Sequence, residues 1–208
     1  ALTSLEANRA SVANLQGLQH FTSLVSLSLN DNNISDLYPI RTLTRLDSLY
    51  LRDNALITDL TPLAGLSRLK NLWLFGATAT DLTPLQNLQL LELGLENKQV
   101  FDLTPLRNMA LQRFYLWNSA TSDLSPLANA PLQSLSLYNS AVTNISVFTN
   151  LANLNYFSAD NTDIADISVL RQSKGFYTVS LNNTKVTDVD TLAALTYFSR
   201  ANLLYLAV

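Results

Sequence analysis

A repeat solenoid is the fold class that the 208-residue sequence predicts. Three observations predict it. A leucine pattern recurs in frame nine times, starting at Leu2, Leu24, Leu46, Leu69, Leu90, Leu111, Leu132, Leu154 and Phe176, with a partial tenth copy from Phe198. Successive starts lie 21 to 23 residues apart. Each copy carries an apolar pair at its fourth and sixth positions, such as Leu27 and Leu29, at the period-two spacing of one strand face. So short a strand is unstable alone, and neighbours must stack to bury the pair. The expectation is one domain over residues 1–208, a rod of about 40 Å at the strand spacing of a sheet. A chain that starts with Ala reads as a piece of something longer.

The frame is L-x-x-L-x-L-x-x-[N/T/S]-x-[I/V]-x-[D/N]-L-x-P-L-x-x-L-x-x. "DLTPL" stands at 59–63, 81–85 and 102–106, and "DLSPL" at 123–127. This resembles the leucine-rich repeat family, most closely its bacterial, internalin-like branch, over nearly the whole chain. The resemblance implies a leucine-rich repeat solenoid, a curved right-handed superhelix. Its parallel β-sheet would form the concave face, and short 3-10 or helical turns and loops the convex face. It further implies a bacterial surface or secreted protein whose concave face engages a host or other cell-surface protein.

Each part of the frame has a physical role. After the strand, the ninth position is Asn32 and Asn54, then Ala77, Lys98, Ser119, Ser140, Thr162 and Thr184. An asparagine ladder therefore breaks early, and Asn97, Asn118, Asn139, Asn161 and Asn183, one place before, are expected to take over some of its bonds. The thirteenth position, shifted by one to Asp59 in the 23-residue third copy, is Asp or Asn in all nine copies, from Asn14 to Asp188. Such a side chain bonds the backbone two residues on and fixes a turn. Thr or Ser two places later, followed by Pro84, Pro105 or Pro126, suits the N-cap and first position of a short helical turn. The last two copies read "DISVL" and "DVDTL" without proline, so their convex turns are expected to be looser. Neither end carries a separate capping motif, and the C-terminal "ANLLYLAV" reads as a further strand.

Several functions find no support. Net charge is −3, with no basic excess to follow nucleic-acid phosphates. The chain lacks cysteine, which rules out disulfides and thiolate metal sites. No apolar run is long enough for a transmembrane helix. His20 is the sole histidine, and no glycine-rich phosphate loop or nucleophile motif is present. Asp160 with Asp163, and Asp188 with Asp190, sit in repeat turns and read as turn chemistry. No catalytic residue, metal site or cofactor is assigned.

The informative positions are the third, fifth and seventh, which project opposite the core leucines. Serine is the default of the third and fifth columns; the middle copies replace it. Tyr50, Arg52, Trp73, Phe75, Glu92, Glu96, Arg113, Tyr115, Trp117, Tyr138 and Tyr156 are the residues assigned to partner binding. Flipping the register would bury Ser and Asn in the flanking copies at about 1–3 kcal/mol each, so the rings are expected to face outward. Trp, Tyr and Arg are enriched in interface hot spots. Gly94, between Trp73 and Tyr115 in one column, is expected to leave a notch for a partner side chain. The reading is a protein-recognition module, extracellular or at the cell surface. A carbohydrate-binding solenoid and a structural spacer stay open as alternatives, as does stacking of the rings merely to cover the sheet.

Overall fold

The computed structural model describes residues 1–99 and 101–196. The partial tenth repeat from Phe198, its column residues Arg200 and Asn202, and the C-terminal strand expected there lie outside the described residues.

Nine parallel strands form one sheet in chain order among the described residues. They are β1 (Ser4–Glu6), β2 (Ser26–Ser28), β3 (Ser48–Tyr50), β4 (Asn71–Phe75), β5 (Glu92–Glu96), β6 (Arg113–Trp117), β7 (Ser134–Ser136), β8 (Tyr156–Ser158) and β9 (Thr178–Ser180). The register follows the repeat frame: Leu27 pairs with Leu49, Leu72 with Leu93, and Phe114 with Leu135. Each coil therefore adds one strand, and its fourth and sixth positions stack into a single continuous core. Leu27, Leu49, Leu72, Leu93, Phe114 and Leu135 are fully buried. Each such side chain stabilises the fold by about 1.5–3 kcal/mol relative to exposure. At the N-terminal edge Leu2 is exposed, and Leu5, Val12 and Leu18 are only partly covered.

The convex turns follow the predicted aspartate chemistry. The amides of Tyr38, Thr61, Thr83, Thr104, Ser125 and Ser168 donate to the carboxylates of Asp36, Asp59, Asp81, Asp102, Asp123 and Asp166, each at 2.8 Å. Asn14 and Asn144 accept in the same way. Short 3-10 turns follow at Tyr38–Ile40, Thr61–Leu63, Thr83–Leu85, Thr104–Leu106 and Ser125–Leu127. Thr61, Thr83, Thr104 and Ser125 are the first residue of their turn, with proline second. The expected N-cap role for these residues is thus corrected: the aspartate two places earlier supplies the acceptor.

The proline-free eighth and ninth repeats do not loosen. The eighth extends its 3-10 turn to five residues, Ser168–Gln172, and the ninth makes an α-helix, α1 (Val189–Thr196). In the ninth, the Asp188 carboxylate accepts from the amide of Thr191, three residues on, which is N-cap geometry. The following Leu-Ala-Ala-Leu stretch has high helix propensity, so the turn propagates.

Position nine also departs from expectation. Asn32 and Asn54 form the ladder, each amide reaching three backbone carbonyls, one of them in the preceding repeat. Beyond them, the asparagines one place earlier do not inherit these bonds. Asn118, Asn139, Asn161 and Asn183 have positive φ, a backbone region that Asn tolerates better than most residues. Their side chains link outward instead, Asn139 to Asn118 and Asn183 to Asn161. The hydroxyls of Ser140, Thr162 and Thr184 take over part of the ladder, donating to the carbonyls of Leu137, Ala159 and Leu181.

Candidate functional site

Strands β4, β5 and β6 are five residues long, whereas the other six have three. The difference accompanies a change at position nine. Asn32, Asn54, Ser140, Thr162 and Thr184 each donate to the sixth-position carbonyl of their own repeat. That carbonyl sits where the strand would otherwise continue, and the next repeat's seventh-position amide needs another acceptor. Asn8 Oδ1 accepts from the Asn30 amide, Asn30 Oδ1 from Arg52, and Asp160 from Asn182. In the fourth to sixth repeats this device is missing. Ala77 has no side-chain donor, Lys98 is exposed, and Ser119 Oγ donates to the Gln99 carbonyl instead. Pairing then runs on through Phe75, Glu96 and Trp117.

The seventh position of these repeats is thereby released from hydrogen-bonding duty and can hold a ring. Six aromatic side chains form one connected set. Tyr50 meets Trp73 edge-on with centroids 5.2 Å apart, and Trp73 meets Phe75 at 5.8 Å. Phe75 stacks on Trp117 at 4.5 Å and lies 6.4 Å from Tyr115. Tyr115 and Tyr138 each contact Trp117, at 6.3 and 6.5 Å. Most contacts are T-shaped, the arrangement favoured by the ring quadrupole.

A polar lock ties the set to the sheet. Glu92, only 8% exposed, accepts from Trp73 Nε1 at 2.9 Å and from Arg113 Nε at 2.9 Å. Its second contact with the Arg113 guanidinium, at Nη2, is also 2.9 Å. Trp117 Nε1 donates to Ser136 Oγ at 2.9 Å. Burial pushes the Tyr115 phenol above its ordinary value; the Ser134 hydrogen bond opposes the shift and Glu92 adds to it.

Not every assigned residue is a surface group. Phe75 is 3% exposed, so its expected outward position is corrected: it faces the sheet side but is enclosed by Trp73 and Trp117. The expected notch at Gly94 is likewise absent, because the Phe75 ring fills it. Glu92, assigned to partner binding, is buried in the lock. Tyr50, Trp73, Tyr115 and Trp117 are half-buried, and Arg113 is bound in the lock. Tyr138 and Tyr156, 41% and 36% exposed, are the open rings. Arg52 is exposed and paired with Asp53 at 2.9 Å, and Glu96 accepts from Asn118. Asn71, Ser134 and Ser136 join the network without having been assigned. All three occupy the third and fifth columns beside assigned residues, which was the available signal. His20 is exposed on the convex half. Among the described residues no group of acidic or histidine side chains is arranged to hold a metal.

Known proteins give the same outline. A family model described as Leucine Rich repeats (2 copies) matches residues 22–65. An internalin, InlF from Listeria monocytogenes, superposes with a TM-score of 0.88 at 34% identity, over 95% of this chain and 59% of that one. Internalin C2 of the same organism superposes with a TM-score of 0.78 at 32% identity, over 86% of this chain and 80% of that one. The plant peptide hormone receptor RGFR1, solved in complex with RGF2, shares the fold alone, at 16% identity and a TM-score of 0.67, over 93% of this chain and 38% of that one. The chain thus spans little more than half of the InlF structure. No curated protein matches in sequence.

Proposed function

The chain belongs to the bacterial internalin-like leucine-rich repeat proteins, and from that premise we propose that it is a non-catalytic module that binds a protein partner through the aromatic patch on its sheet face. The observation that carries this is the connected set of six rings in columns that are otherwise small, polar or charged, mostly serine and asparagine. Aromatic groups of this size dominate interface energetics. Tyr138, within the set, and Tyr156, outside it on β8, are the accessible anchors of the patch, with Tyr50, Trp73, Tyr115 and Trp117 as the half-buried floor. Arg52 and Glu96 stand at the edge of the patch. The site is extracellular or on the bacterial surface in this reading. No helix among the described residues is long and apolar enough to cross a membrane.

The polar chemistry favours a protein over a glycan. Sugar recognition needs free donors and acceptors placed beside an open ring face. Here both indole N–H groups, Glu92 and Arg113 already satisfy one another or the sheet. What remains is apolar surface with phenol tips, which suits side chains of a protein.

The test sets wild-type protein and the Tyr138→Ala/Tyr156→Ala double variant against an array of purified cell-surface ectodomains and a glycan array. The expected result is wild-type binding to a protein ectodomain, weakened about ten-fold or more in the variant, with thermal unfolding unchanged within a few degrees. Binding to glycans alone, or equal protein binding by the variant, overturns the reading.

A further inference from the structure

We infer that Gly94 and Phe75 are a positioning pair that holds Trp73 and Trp117 in place before any partner arrives. The purpose assigned to the pair rests on the recognition reading above; its mechanics rest on geometry alone. Gly94 is the fifth-position residue of β5, where the neighbouring strands carry Trp73 and Tyr115. A Cβ on Gly94 would sit 2.5 Å from both Cε2 and Cζ of Phe75, and its three nearest atoms all belong to that ring. No left-handed backbone angle accompanies this glycine, so the nearest obstacle to a side chain there is the ring and not the backbone conformation. Phe75 leans out of the seventh column and fills the slot that Gly94 leaves in the fifth.

From that slot the ring braces three repeats at once. It meets Trp73 of its own strand at 5.8 Å, Tyr115 two strands on at 6.4 Å, and the face of Trp117 at 4.5 Å. Phe75 is itself enclosed, so it acts through the two indoles. A surface whose rings are already immobilised loses less conformational entropy on binding. Gly94 is the residue whose absent side chain makes that immobilisation possible.

The test is a double-mutant cycle on the full chain, read by near-UV circular dichroism and by acrylamide quenching of the two tryptophans. Gly94→Ala displaces the ring: quenching rises and the near-UV bands fall, while far-UV circular dichroism is retained. Phe75→Leu, with the slot empty of a ring, gives the same signature. Adding Gly94→Ala to Phe75→Leu then changes nothing further, because the atoms that excluded the Cβ are gone. Wild-type spectra for Gly94→Ala overturn the inference. So does an additive double variant, or one that fails to fold where Phe75→Leu folds, since either places the demand for glycine elsewhere than on Phe75. Because no partner enters this measurement, its failure is distinct from that of the recognition reading, which the Tyr138 and Tyr156 variants test.

Discussion

The flanking repeats and the central three build the same sheet face in different ways. In the flanks, polar side chains bond along the stack: Ser28 Oγ donates to Asn8, Asn30 accepts the Arg52 amide, and Asp160 accepts from both Ser180 Oγ and the Asn182 amide. In the centre, rings and one half-buried ion pair cover the strands. The change coincides with one behind the sheet, at position nine, where no side chain of the fourth to sixth repeats donates to the sixth-position carbonyl of its own repeat. The aromatic surface thus goes with the longer strands, in which the seventh position supplies no hydrogen bond to the next repeat's amide. The seventh repeat joins both designs, with the Tyr138 ring in the outer column and Ser140 still donating to the Leu137 carbonyl behind it.

The largest test of the contrast is Phe75→Ala. The ring is enclosed like a core residue, so its removal costs about 3–5 kcal/mol and lowers the unfolding temperature by several degrees. Ser28→Ala, in the flank, removes the two hydrogen bonds of a half-buried hydroxyl, one donated to Asn8 and one accepted from Asn30, and costs about 1–2 kcal/mol. Urea unfolding of the two variants compares them directly. Equal losses would show that the central rings contribute no more than the flanking polar ladder.

A smaller effect is expected from the ladder itself. Asn54 is fully buried, donates to the carbonyls of Leu29, Leu51 and Arg52, and accepts from the Ile34 amide. Asn54→Ala orphans these groups at about 1–3 kcal/mol. The loss is held down because the freed Leu51 carbonyl can accept from the next strand, as in the centre. Hydrogen exchange should then show added protection of the Phe75 amide. Unchanged exchange there would sever position nine from strand length.

The repeat frame was legible because a solenoid core repeats its demand once per coil: Leu27, Leu49, Leu72 and Leu93 answer one steric question four times. Which face each column takes follows from strand alternation, and so did the grouping of the rings. Contacts between columns were not legible. Phe75 was read as exposed because its column faces outward; its burial depends on a ring leaning across to Gly94, two columns' worth of geometry away. The missing side chain at Gly94 was visible, but the residue that fills the space was not. Glu92, assigned to partner binding by its outward column, is buried for the same reason, since Trp73 and Arg113 close on it from the neighbouring strands on either side. The α1 helix was missed because the absence of proline was weighed and the Asp188 cap was not.

The convex aspartates supply the smallest test, and one in which centre and flank should agree. Asp81 and Asp102 are held below the ordinary value of 3.8, chiefly by the hydroxyls of Thr83 and Thr104. Asp123 is lowered chiefly by the Ser125 amide. In the C-terminal flank, Asp166 and Asp188 are lowered chiefly by the hydroxyls of Ser168 and Thr191. A depressed folded pKa means that the unfolded chain takes up protons first as pH falls. The stabilisation is therefore complete above the ordinary carboxylate range and is lost as pH drops through the lowered folded values. Asn14 and Asn144 already accept the same turn amide without titrating, so asparagine is the conservative replacement. Urea midpoints followed from about pH 6 down to about pH 2 should fall less steeply in an Asp81→Asn/Asp102→Asn/Asp123→Asn variant than in wild type. Asp166→Asn/Asp188→Asn should flatten the curve comparably per residue replaced. A response confined to the central triple variant would mean that the division between centre and flank extends through the core to the convex side.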